Sequence, residues 1–158
     1  MIIRTDRFID AAEAGDEALM DDLAKKGIEL HRRHTSSGVC AIHKPCEVNN
    51  VAMIQKLLNM GSDIEATTKI GWTPIIVASL HEATDSVLFL MEKGANVRAT
   101  NSDGETPFQI AAKYGFARMM KALFESGGDI AERNPFTGKT PLHYAADGNQ
   151  AGTVEILL

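Results

Sequence analysis

Glycines recur in this chain with a period of about 33 residues, and no other feature constrains the fold so tightly. One column stands at Gly27, Gly61, Gly94 and Gly127, spaced 34, 33 and 33 residues apart. A second stands at Gly38, Gly71, Gly104 and Gly138, spaced 33, 33 and 34. Self-similarity at such a period means stacked copies of one supersecondary unit, each touching only its neighbours.

A Thr-Pro-apolar signature follows the second column. It reads Gly71-Trp72-Thr73-Pro74-Ile75, Gly104-Glu105-Thr106-Pro107-Phe108 and Gly138-Lys139-Thr140-Pro141-Leu142-His143. A degraded copy occupies Gly38-Val39-Cys40-Ala41-Ile42-His43. Small pairs come next, at Ala11-Ala12, Ala78-Ser79, Ala111-Ala112 and Ala145-Ala146. An apolar stripe closes each copy, as in Ile54, Leu57 and Leu58 or Met120, Leu123 and Phe124. The pattern closely resembles the ankyrin repeat. Residues 138–146 match that family's G-x-T-P-L-H-x-A-A almost letter for letter. The resemblance implies an all-α solenoid of stacked helix-turn-helix units with projecting β-hairpin-like turns. It covers one domain over 1–158, with repeats at about 1–34, 35–67, 68–100, 101–134 and 135–158, the last incomplete.

Elementary chemistry supports the same layout. Thr is a good helix N-cap, and Pro suits the first helical position because its missing N–H is an orphan there in any case. Each Thr-Pro therefore starts a helix. Gly15 and Gly115 tolerate the positive φ that ends a first helix. Apolar residues at i, i+3 and i+4 give each second helix one buried face. Short polar stretches such as Asn101-Ser102-Asp103-Gly104 read as tight turns. The first unit, with an opening helix from Arg7 to Ala14, is polar enough to cap the stack. The last is not: Leu157-Leu158 leaves an apolar seam exposed. That predicts a chain cut from something longer, a frayed end, or self-association through the seam.

Unit two departs from the pattern. Cys40 and Ala41 replace Thr-Pro, and Pro45 falls where the first small residue belongs. Pro inside a helix costs about 3 kcal/mol, so the first helix here is expected to be short or distorted. Asn49, Glu82 and Asn149 replace a small residue after the first helix. Asn tolerates the left-handed conformation, but Glu does not do so easily. The turn before unit five carries one extra residue.

The net charge of −5 argues against a nucleic-acid partner. The short basic cluster His31-Arg32-Arg33-His34 reads as a solvated loop tip. No apolar run approaches a membrane span, and no signal peptide opens the chain. Two cysteines make no disulfide framework. A cytoplasmic location is expected, and a bacterial effector delivered to a host without a cleaved signal would look the same. No nucleotide-binding or hydrolase motif occurs, so the chain is expected not to be an enzyme and to need no cofactor. Cys40, His43 and Cys46 have a spacing that could hold zinc. Packing is the preferred reading, because the resemblance gives His43 and His143 a hydrogen-bonding role between neighbouring hairpins.

The resemblance also implies where a partner would sit: on a concave groove of hairpin tips and first helices. The tips are Ser36, Ser37 and Val39; Lys69, Ile70 and Trp72; Ser102, Asp103 and Glu105; Phe136, Thr137 and Lys139. The first-helix positions are Glu47 and Val48; Leu80 and His81; Lys113 and Tyr114; Asp147 and Gly148. Ile70, Trp72, Leu80, His81 and Tyr114 are expected to cluster, with Asp103, Glu105, Lys113, Phe136 and Lys139 around them. A monomeric scaffold or adaptor for a partner protein is the expected function. The alternative is a regulatory or targeting segment of a larger enzyme, channel or secreted effector.

Overall fold

A computed structural model describes residues 2–28, 33–34 and 37–158. Its described residues form ten helices and no strand. They fall into five antiparallel pairs: α1 (Ile2–Ala14) with α2 (Glu17–Ala24), α3 (His43–Glu47) with α4 (Val51–Asn59), α5 (Pro74–Leu80) with α6 (Thr84–Glu92), α7 (Pro107–Tyr114) with α8 (Ala117–Glu125), and α9 (Pro141–Asp147) with α10 (Ala151–Leu157). Neighbouring first helices pack against one another from α1 through α3, α5 and α7 to α9. Behind them α6 packs on α4 and α8.

Three first helices start at the Thr-Pro pairs, as the sequence says they should. Thr73, Thr106 and Thr140 are extended N-caps, and each is followed by Pro. Thr106 completes a capping box with Gln109. Second helices begin on other chemistry: the Asp16 carboxylate accepts from the Leu19 N–H at 3.0 Å, and the Asn50 amide oxygen from the Met53 N–H at 3.0 Å. The opening helix α1 starts well before Arg7, at Ile2.

The small pairs lie between stacked first helices. Ala78, Ser79, Ala111 and Ala112 are fully buried, which lets the backbones approach closely. Ile54, Leu57, Val87, Leu90, Met120 and Leu123 fill the layer between first and second helices. Each such side chain contributes about 1.5–3 kcal/mol by leaving water. At the far end Phe124, Ile130, Ile156 and Leu158 are exposed around a cleft of about 390 Å³.

Unit two behaves as its proline demands, with less penalty than an interior position would carry. A turn at 41–42 delays the start of α3 to His43, leaving a helix of only 5 residues. Pro45 then lies in the first turn, where no N–H has an intrahelical partner to lose. Asn49, Glu82 and Asn149 all adopt left-handed φ, at 56°, 55° and 54°. Of the basic cluster, His31 and Arg32 lie outside the described residues, as does the tip residue Ser36. Arg33 and His34 are not a free loop tip. Arg33 donates to the Thr67 carbonyl at 2.8 Å and to its hydroxyl at 3.0 Å, and the His34 ring lies 3.3 Å from the Asp10 carboxylate.

Candidate partner-binding surface

Each hairpin is closed by a backbone hydrogen bond across its base, with a second inside the turn. The Thr68 N–H donates to the Trp72 carbonyl at 2.9 Å and the Asn101 N–H to Glu105 at 3.0 Å. In unit five the Asn134 N–H reaches Lys139 at 2.9 Å, so this loop is one residue longer, as its sequence implies. Adjacent tips are also bonded. The Lys69 N–H donates to the Gly38 carbonyl at 2.8 Å, the Trp72 indole N–H to the Ser102 hydroxyl at 3.4 Å, and the Asn134 side chain to the Asp103 carbonyl at 2.8 Å. The tips thus form a laterally tied row.

His43 lies beneath this row, fully buried. Its Nδ1 accepts from the Cys40 N–H at 3.0 Å, which leaves the proton on Nε2 to donate to the carbonyls of Ala66 at 3.0 Å and Trp72 at 3.1 Å. Both ring nitrogens are therefore engaged with backbone. Burial pushes its pKa below the ordinary histidine value, against the pull of the carbonyls it faces. Cys46 is buried, and its thiol donates to the Ile42 carbonyl at 3.1 Å. Among the described residues no three His, Cys, Asp or Glu side chains are grouped to hold a metal ion.

Two depressions open beside the hairpin tips and first helices. The first lies between the tips of units two and three and brings together Val39, Lys69, Ile70, Trp72, Val77 and His81, with Glu47 on one wall. Ile70 is 57% exposed. Neither Leu80 nor Tyr114 lines it. Leu80 is half-buried at the end of α5, and Tyr114 stacks on Phe116 at 5.7 Å. The expected apolar centre is thus assembled from Ile70, Trp72 and His81, with Val39 and Val77 in place of the other two.

The second depression lies between units four and five. It gathers Ser102, Asp103, Glu105, Lys113, Phe136, Lys139, Tyr144 and Asp147. Phe136 stands 73% exposed at its edge. Glu105 is 5% exposed. Its carboxylate accepts from Lys113 at 2.8 Å and from the Asn101 amide at 2.9 Å. Lys139 pairs with Asp147 at 2.6 Å. Both ammonium groups lie over the Tyr144 ring, at 6.0 and 5.9 Å from its centre. The Glu105 hydrogen bond raises the Lys113 pKa, and the Asp147 hydrogen bond raises that of Lys139. Tyr144 is the residue sequence reasoning missed. At the variable position of T-P-L-H-x-A it reads as filler, and its only signal is an aromatic ring one helical turn from Pro141.

A repeating helix pair and a laterally bonded row of tips define a protein of the repeat class. A family model for ankyrin repeats, in three copies, matches residues 8–101 and again 94–158. The chain belongs to the ankyrin-repeat family. No curated protein matches it. Ankyrin repeats are generic protein–protein interaction modules and are typically non-catalytic. No helix among the described residues is long and apolar enough to cross a membrane.

Proposed function

We propose that this chain is a protein-binding scaffold, acting as one unit of five repeats, whose partner lies along the concave face of hairpin tips and first helices. Lys69, Ile70, Trp72 and His81 make the contacts of units two and three. Asp103, Lys113, Phe136 and Lys139 make those of units four and five. Glu105 acts through Lys113, whose ammonium it holds.

The observation that supports this reading most is the exposure of Ile70 and Phe136 at the tips, beside two depressions that aromatic and cationic side chains line. Large apolar side chains held in water on a rigid frame are where contact energy concentrates. Both cysteines are buried and neither is in a disulfide, which suits a reducing compartment such as the cytoplasm.

The test is affinity capture from a cell lysate. Native chain is compared with an Ile70→Ser, Phe136→Ser variant, both first shown to have equal helical content. Loss of a specific captured protein in the variant supports the concave face. Equal capture by the two overturns it.

A further inference from the structure

The two depressions differ in what they leave unsatisfied. Between units four and five, Lys113 is paired with Glu105 and Lys139 with Asp147. A ligand carboxylate there would have to share an ammonium that already holds a carboxylate. Between units two and three the balance is different. Glu47 is held by Lys44 at 3.4 Å, an ammonium that Glu13 shares at 3.3 Å. Lys69 lines the same cleft and has no ion-pair partner among the described residues.

The Lys69 backbone is also fixed in place. Its N–H donates to the Gly38 carbonyl, and its stem lies so close to Gly38 that a Cβ added there would come within 2.7 Å of the Lys69 Cβ. Opposite, His81 has its Nδ1 2.9 Å from the Val77 carbonyl. That bond puts the proton on Nδ1 and leaves Nε2 an acceptor. Val39, Ile70, Trp72 and Val77 supply apolar walls around a volume of about 210 Å³, room for one large side chain.

We infer that this cleft takes a single large apolar side chain from an extended acidic segment of the partner, with an adjacent Asp or Glu carboxylate pairing with Lys69. The inference rests on the concave-face reading and deepens it. The Nε2 atom of His81 accepts an N–H from the segment's backbone. One cation with Glu47 nearby suits a monoanion. A phosphate dianion would meet the Glu47 carboxylate with nothing to offset its second charge.

Trp72 is the chain's sole tryptophan, so its indole N–H gives one assignable resonance at this cleft; because that N–H donates to the Ser102 hydroxyl beside the other depression, it is read together with the Lys69, Ile70 and His81 amides. The isotope-labelled full chain is titrated with the capped peptide Gly-Ser-Asp-Leu-Ser-Ser-Gly. Two controls replace Leu by Ser, or Asp by Lys. Saturable movement of the Trp72 indole and the Lys69, Ile70 and His81 amides is expected with the first peptide. Binding of either control is expected to be about five- to tenfold weaker. Lys69→Glu should reverse the preference between the Asp and Lys peptides, and Lys69→Met should abolish it.

Equal binding of the Asp and Lys peptides overturns carboxylate recognition and leaves the concave face intact as a protein-binding surface. Movement confined to Lys113, Lys139 and Tyr144 overturns the choice of cleft and again spares that reading. No movement of any concave-face resonance with any peptide overturns the inference outright, and the lysate capture then decides the parent reading separately.

Discussion

The imidazole of His43 reaches 23 residues ahead to Ala66, its Nε2 donating to that carbonyl at 3.0 Å. Gln109 does the same job two units later: its side-chain amide donates to the Glu132 carbonyl, again 23 residues ahead, at 3.1 Å. One register of side-chain-to-hairpin bonds thus ties α3 and α7 to the turns that follow, and two different side chains satisfy it. Replacing His43 by Gln should therefore cost less than about 1 kcal/mol. His43→Ala, which strands a buried N–H and carbonyl, should cost about 2–3 kcal/mol. Urea denaturation of the two variants beside the native chain checks the difference.

The same histidine makes stability depend on pH. Burial holds the folded imidazole below its ordinary value of 6.5. Above that value neither state is protonated and the stability is complete. As the pH falls below it, the unfolded chain takes up a proton that the folded ring resists, so stability declines down through the folded pKa. Urea midpoints at about pH 7.5 and about pH 5.5 should differ more for the native chain than for His43→Gln. An equal drop in both would assign the pH dependence to other groups.

Left-handed residues offer a contrast between two neighbours in the repeat. Glu82, at φ 55°, has no local bond that compensates its side chain for this conformation. Glu82→Gly should raise stability by about 1 kcal/mol. Asn49, at φ 56°, uses its side chain: Oδ1 accepts from the Ser86 N–H at 2.8 Å, and Nδ2 donates to Asp85 at 3.2 Å. Asn49→Gly should lower stability, because it trades those bonds for backbone freedom. Thermal unfolding of both variants tests the opposite signs.

Much of this architecture is legible in the chain itself. Thr-Pro pairs and column glycines mark helix starts and stops because they act through local backbone chemistry, which carries its own signal. Pro45 is legible as a disturbance. Its resolution as a late helix start depends on counting which N–H groups are orphaned, and that needs the register. The cleft around Trp72 was harder to read. Val77 looks like ordinary core of α5, and Val39 like a worn signature residue, until the tips of units two and three are set side by side. Glu105 reads as a tip residue open to a partner, because it follows the turn glycine. Its burial depends on Asn101 and Lys113, which only the folded turn brings to it.

That buried carboxylate yields a further prediction. Lys113→Met leaves Glu105 without its ammonium and should destabilise by about 1–2 kcal/mol. The double variant Lys113→Met, Glu105→Gln should recover most of the loss, since it removes the unpaired charge while the amide oxygen still accepts from Asn101. A double-mutant cycle by urea denaturation reads the coupling.

The central claim concerns which face meets the partner, and site-specific photocrosslinking addresses it most directly. A benzophenone side chain is placed at Ile70 or Phe136 on the hairpin tips, or at Glu125 at the end of α8, and each chain is irradiated in lysate. A concave-face scaffold predicts one specific adduct shared by the Ile70 and Phe136 chains and absent from the Glu125 chain. A specific adduct at Glu125, with none at either tip position, would contradict it.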